Sequence, residues 1–425
     1  MQQSVEFGAL PRARQWLDPI AIPAATEGPK TAFRLVILFL LILYSNITVI
    51  YTELDAYRPV MVIAVAALIM MAVEISQSRQ GLKLMWPEGF MLVAFLGVAF
   101  VSSFDAFWAR LAFDRTTDIA RLLLFYILLE NTITSRDRLR TIMLVLVIGG
   151  MMPALGTISN YVHGVLVEHS RAAWKGLFGN PNEDAYALTL LIPIAAGLSN
   201  TPRLFMRLSM WAAIGMYLLA IFVTFSRGGL LGLFAVLGLI GWKQRSTLIR
   251  TLMAVAVVGS LIFVAQYWNR DQGFTNITQD TTYNQRIATF KAGLLMFEAN
   301  PLLGVGPGCS LVAYPLYVPK DAHCGCQDQL VIHNSFIQVL SEVGFLGFVP
   351  FLVLFGAALY HTWQLQKGPL SIEGAAFEIA LWGFLLCSLS GGFTYTWWPY
   401  IVIGLIVAAV RIADSKTPES VNVAV

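Results

Sequence analysis

The chain has 425 residues, of which 57% are hydrophobic and only 12% charged, with a mean hydropathy of +0.68. Soluble domains carry about 25% charged residues, so a soluble enzyme is excluded, and a net charge of +3 is too small to suggest a nucleic-acid partner. Apolar runs long enough to cross about 30 Å of hydrocarbon recur along the chain, while the short segments of strict alternation that build a membrane barrel are absent. The expectation is an all-α polytopic membrane protein of one domain.

In chain order, the first residues are polar, with Pro11, Pro19, Pro23 and Pro29. No cleavable signal is visible, and 1–32 read as a cytoplasmic tail or a surface-lying segment. About twelve transmembrane spans follow, at 33–52, 58–76, 88–104, 116–131, 139–160, 183–199, 204–224, 227–242, 248–267, 345–363, 372–391 and 394–412. Spans one to nine thus fill 33–267, an outer interval occupies 268–344, spans ten to twelve fill 345–412, and 413–425 form a second cytoplasmic tail. Orientation comes from the short loops. Those after even-numbered spans hold Arg79, Lys83, Arg136, Arg138, Arg140, Arg203, Arg207, Lys243, Arg245, Arg250 and Lys367 against the single acid Asp137. These loops and both termini are expected in the cytoplasm. The unusual chemistry falls on the opposite side.

Span 4 carries Asp114, Asp118 and Arg121 on one helical face. Two readings stand: an internal ion pair holding the bundle together, or the wall of an outward-opening polar cavity. Phe178-Gly179-Asn180-Pro181-Asn182-Glu183-Asp184 opens span 6. Asn182 is a candidate cap, and Glu183 and Asp184 suit the first turn; Asn180 and Asn182 are also candidate sugar ligands. Ser226-Arg227-Gly228-Gly229 makes a tight turn between spans 7 and 8. A guanidinium there could anchor lipid headgroups or grip a phosphate through two parallel hydrogen bonds. Arg286 presents the same choice at the head of a helix expected over 283–299. That helix should share an apolar face of Ile287, Phe290, Leu294 and Phe297, lie on the membrane surface, and stop at Asn300-Pro301. The glycines at 304, 306 and 308 then force a turn.

Cys309 could pair with Cys324 or Cys326 in an oxidising compartment, while Cys387 reads as a buried apolar residue. His323-Cys324-Gly325-Cys326 lacks a second ligand pair, so no metal is expected there. A second outer helix should start near His333 and continue through Ile337, Leu340 and Gly344. In its first turn the positive end of the helix dipole disfavours imidazolium, which keeps the ring neutral and able to accept a proton. A histidine that merely caps or packs is the bland alternative.

His333-Asn334, nine residues, then Gly344-Phe345-Leu346-Gly347 resembles the histidine motif of the O-antigen ligase family, within the superfamily of membrane oligosaccharide polymerases and ligases. Ser226-Arg227-Gly228, Arg286 heading a helix that ends Asn300-Pro301-Leu302-Leu303-Gly304-Val305-Gly306-Pro307-Gly308, and Gly179-Asn180-Pro181-Asn182 are similar to further elements of that family. The resemblance covers roughly 175–350. It implies a GT-C-like membrane glycosyltransferase architecture in the bacterial inner membrane with the active site on the periplasmic side. It implies a donor glycan on undecaprenyl diphosphate, a lipid A–core sugar hydroxyl as acceptor, inversion at the anomeric carbon, and no metal or other cofactor. It makes His333, Arg227 and Arg286 the essential residues, with Asn180, Asn182 and Asn334 near the substrates; Arg110 and Arg115, in the 105–115 loop, are candidates to meet core phosphates. A repeat-unit polymerase and a protein O-oligosaccharyltransferase share these elements. A transporter of lipid-linked sugars fits the span count, but not the one-sided placement of the polar groups.

Overall fold

The computed structural model describes residues 28–79, 81–167, 170–244, 246–267, 281–319 and 329–415. The helices, in order, are α1 Lys30–Ser45, α2 Ile47–Ile50, α3 Thr52–Asp55, α4 Pro59–Gln77, α5 Glu88–Ser102, α6 Ala109–Thr132, α7 Arg136–Val162 and α8 Pro181–Ser199. They continue as α9 Leu204–Val223, α10 Arg227–Trp242, α11 Thr247–Tyr267, α12 Thr281–Ala299, α13 Ser310–Ala313, α14 Ser335–Leu365, α15 Ser371–Cys387 and α16 Trp397–Asp414. Among the described residues the only extended pairing is an isolated bridge between Val167 and Arg171.

Among the described residues, six helical segments are long and apolar enough to cross a membrane: Pro59–Gln77, Glu88–Asp105, Arg136–Val162, Leu204–Val223, Ser335–Leu365 and Trp397–Asp414. The described residues therefore form a helical, multi-pass membrane protein. Eleven of the twelve expected stretches each overlap one α-helix, 33–52 overlaps α1, α2 and the first residue of α3, and α12 is a long helix that overlaps none. The helices differ in depth. α16 is buried along 78% of its span and α4 along 11%, so α16 runs through the middle of the bundle and α4 lies at its edge. α8 is buried along nearly its whole length and packs between α9, α10 and α15.

Capping fixes where several helices begin. Ser135 accepts a bond from Arg138 N (3.2 Å), Asn180 from Asn182 N (2.8 Å), Ser226 from Gly229 N (3.1 Å), and Asn334 from Phe336 N and Ile337 N (3.0 and 3.1 Å). Each satisfies backbone donors that a helix start leaves open. The basic residues expected in loops are largely engaged. Arg136 bonds both oxygens of buried Glu373 (2.9 and 3.1 Å), and Arg140 adds a third bond at 2.8 Å. Arg138 donates to the carbonyls of Gly28, Pro29 and Thr132.

α14 is broken at Gly344, where φ is +63° and ψ −166°. The break is closed from outside the helix. Val305 N and Gly306 N donate to the carbonyls of Ser341 and Glu342 (both 2.9 Å), while Phe345 N and Leu346 N donate to the carbonyls of Pro301 and Leu302 (2.8 and 3.2 Å). The approach leaves no room for side chains. A Cβ on Gly344 would lie 2.3 Å from the Leu302 carbonyl, and one on Gly304 would lie 2.4 Å from the Glu342 backbone. The Asn300–Gly308 turn and the α14 joint are thus one backbone-paired unit.

A small separate core lies beside this unit. It gathers Ala112 of α6, Ala288, Ala292 and Met296 of α12, Val305, Cys309, Ala313, Tyr314 and Ile332. α12 meets the rest of the protein through a side other than its expected membrane-surface face. Ala288, Thr289, Ala292, Gly293 and Met296 are buried, whereas Ile287 and Phe290 are exposed. The helix packs on its small residues because it lies close to α14: a Cβ on Gly293 would sit 2.4 Å from Ile337. Large apolar side chains are turned outward.

Candidate active site

Three sequence motifs meet around Tyr186 and Ser390. The Tyr186 hydroxyl is 3.1 Å from Ser390 Oγ, and its ring meets Phe393 edge-on at 4.4 Å. The Ser226-Arg227-Gly228 turn lies against the same pair, since a Cβ on Gly228 would fall 1.9 Å from Ser390 Oγ and 2.2 Å from the Tyr186 hydroxyl. Arg227 is the first residue of α10, and Phe225 takes a positive φ of 46° to make the turn. Arg286, half-buried on α12, lies near enough to Tyr186 to act on its hydroxyl electrostatically.

His333 reaches this place through its neighbours. The Ile332 carbonyl faces Gly392, where a Cβ would be 2.4 Å away. Asn334 Nδ2 donates to Leu389 O (3.2 Å), Ser335 N to Ser388 O (2.8 Å), and Ser335 Oγ to Gly391 O (2.8 Å). Phe393 N returns a bond to Ser335 Oγ at 2.9 Å. The start of α14 is therefore stitched to 388–393, the segment that also touches Tyr186 and Gly228. One correction follows: α14 begins at Ser335 with Asn334 as its cap, so His333 stands just before the helix rather than in its first turn. Asn334 uses both ends of its amide for structure.

The asparagines of the Gly179–Asn182 segment also change roles. Asn180, not Asn182, caps α8, because Pro181 takes the first helical position. Asn182 is buried, and its Oδ1 accepts from Arg171 Nη2 (2.6 Å) and from Ser226 Oγ (2.8 Å). Arg171 is itself buried and donates from Nε to Thr224 O at 3.0 Å. Asn182 and Arg171 thus hold the turn that presents Arg227.

A second network lies below the first. Glu342 is fully buried and accepts from Gly308 N (2.8 Å), Ser310 Oγ (2.5 Å) and the Tyr395 hydroxyl. Gln338, one turn earlier on α14, meets Thr394 Oγ1 at 3.0 Å. Glu342 therefore joins the glycine turn, α14 and the 388–396 segment.

The remaining expected residues lie elsewhere. α6 starts at Ala109, so Arg110 and Arg115 are helical rather than in a loop, and both are exposed. Arg115 packs its stem against Gly308, where a Cβ would meet its Cγ at 2.4 Å. It shares Asp118 with Arg121, at 3.2 and 2.9 Å. The pair expected on span 4 thus forms, but on an exposed face and without Asp114. Cys309 is a free, buried thiol with Sγ 3.5 Å from Trp108 O, and burial pushes it up to about 11; the expected disulfide through it is not present. Its supposed partners Cys324 and Cys326, with His323, lie outside the described residues.

Arg171, Tyr186, Ser390 and Glu342 were not singled out from the sequence. Glu342 had one available signal: it is the one acid between the histidine and the paired glycines, just before an apolar stretch.

Residues 212–352 match the family model described as O-antigen ligase. That stretch contains Arg227, Arg286, His333, Glu342 and Gly344. No curated protein matches the chain. Among solved structures, a chain from "Structural coordination of polymerization and crosslinking by a peptidoglycan synthase complex" aligns with a TM-score of 0.40 and 18% identity, covering 80% of this chain and 100% of that one. At that score a shared fold does not follow.

Proposed function

We propose, from the match of residues 212–352 to the O-antigen ligase family model, that this protein transfers a glycan from undecaprenyl diphosphate to a sugar hydroxyl of lipid A–core. The observation that supports this reading is the meeting of the Arg227 turn, the His333 segment and Arg286 around Tyr186 and Ser390. It brings the segment that carries an imidazole and two that carry guanidinium groups to one site.

The chemistry follows from these groups. A sugar hydroxyl is a weak nucleophile, and the imidazole of His333 takes its proton as the oxygen attacks the anomeric carbon. The bond from that carbon to the phosphate oxygen breaks with inversion, and the diphosphate leaves on its lipid. Diphosphate needs its growing charge stabilised more than it needs a proton, and Arg227 and Arg286 supply that by paired hydrogen bonds. In this reading the helices under all twelve expected spans cross the inner membrane in a GT-C-like arrangement. Both termini lie in the cytoplasm, and the site opens on the periplasmic side.

The test is transfer by the purified protein from a defined undecaprenyl-diphosphate glycan to purified lipid A–core, in EDTA. Glycan on the core lipid is the expected product. Glycan lengthened on the carrier lipid instead would make the protein a polymerase. Movement of the lipid-linked sugar across a liposome without transfer would make it a transporter.

A further inference from the structure

Away from this site, a cavity of about 450 Å³ lies between α1, α4, α6 and the start of α16. It is within the size range of small-molecule and lipid sites. Most of its lining is apolar, down to Leu68 on α4 and Leu128 on α6, with Trp397 at its back. Two arginines break that pattern, Arg58 and Arg121. Arg58 stands immediately before α4, at the end where Pro59 begins the helix, and takes a left-handed conformation with φ +45°. Non-glycine residues rarely adopt it.

The charge balance here is one-sided. Arg121 and Arg115 share the single carboxylate of Asp118, and no carboxylate is bonded to Arg58 among the described residues. The side chain of Arg121 remains 60% exposed although it falls inside an expected span. An arginine facing hydrocarbon costs about 2.5–3.5 kcal/mol at mid-membrane, and Asp118, shared with Arg115, offsets only part of the positive charge gathered here. Below the two guanidinium groups, α4 is the least buried span, and its flank opens the cavity to lipid.

We propose that this groove binds a bilayer lipid by its phosphate, held between Arg58 and Arg121, with an acyl chain lying along α4 and α6 toward Leu68 and Leu128. Guanidinium groups match phosphate oxygens in paired hydrogen bonds, and the apolar wall accounts for the chain. The inference stands apart from the transfer reaction and does not need it. Because Asp118 also holds Arg115, which lies on Gly308, the groove adjoins the outer unit of the protein.

The experiment is native mass spectrometry of the full-length protein with phosphatidylglycerol, with diacylglycerol, and with dihexanoyl phosphatidylglycerol as a short-chain probe. Wild type should retain long-chain phosphatidylglycerol at least tenfold better than either of the others. Arg58→Gln with Arg121→Gln should remove the preference over diacylglycerol, and Ala64→Trp, which fills the groove, should reduce retention of both long-chain lipids. An undiminished preference in the double variant would overturn the proposal. So would equal retention of the short-chain probe. A photo-crosslinking residue at Leu68 gives a readout that does not depend on the arginine variants. Crosslinks to phosphatidylglycerol are expected, and crosslinks to diacylglycerol alone would also overturn it.

Discussion

His333 stands just outside α14, and the backbone on either side of it is fastened to 388–393. Its backbone is therefore placed by its neighbours in the chain, which sets where the imidazole starts from. Replacing it with alanine should leave expression and folding near normal while lowering transfer by about 10²–10⁴-fold, the usual contribution of a general base. Full activity in His333→Ala would remove the base from the mechanism. Arg227→Ala and Arg286→Ala should raise the KM for donor as well as lower kcat, and lysine at either place should not fully restore it, because an ammonium lacks the paired geometry. Cys309 makes a different prediction. With its thiol pushed up to about 11 by burial, only about one molecule in a thousand carries the reactive thiolate at pH 8. Maleimide should modify Cys309 slowly in the native protein and rapidly after denaturation, as read by peptide mass spectrometry. The thiolate fraction, and with it the native rate, should rise as pH rises toward that value.

At the scale of elements, the joint between the Asn300–Gly308 turn and α14 decides the geometry of the site. Gly344 occupies a backbone region used almost only by glycine, and Leu302 crowds it. Gly344→Ala should cost about 1–3 kcal/mol from backbone strain alone, with the clash added, and should lower the unfolding temperature in detergent. Gly304→Ala strikes the same contact from the other side, so the two should not add. This joint was legible in the sequence because glycines and the Asn-Pro stop state local backbone needs that no other residues meet. The start of α10 was legible for the same reason. What could not be read were roles set by distant neighbours. Asn182 carries the oxygen expected of a cap, but Pro181 shifts the cap to Asn180, and Arg171 and Ser226 claim Asn182 instead. The side of α12 that meets α14 was not legible, because a close helix crossing selects small residues that give no hydropathy signal. Glu342 depends on Ser310 and Tyr395, which local periodicity cannot bring to it.

Across the whole molecule, the polar groups are divided between two ends of an apolar bundle. One end holds the site and its small core; the other is fastened by Glu373 with Arg136 and Arg140, and by Glu130 with Arg411. Glu373 is 1% exposed, so removing its carboxylate strands two arginines beside a buried contact between α7 and α15. Glu373→Ala should destabilise the fold by about 1–3 kcal/mol, because the arginines it leaves are part-exposed and stay solvated, seen as a lower Tm, while donor KM in the surviving folded fraction stays unchanged. An altered KM at normal Tm would show instead that this end communicates with the site. The helical, multi-pass class was legible from hydropathy, since six of the apolar helices are long enough to cross a membrane among the described residues.

The pairing of the glycine turn with the α14 joint also limits how this protein can be recombined. A relative's α12 and its turn cannot be transplanted alone, because four main-chain bonds and two side-chain-free contacts must be met by 341–346. The exchangeable module runs from α12 through Gly347, and a chimera that cuts inside it would leave carbonyls and amides of a broken helix unanswered in a membrane.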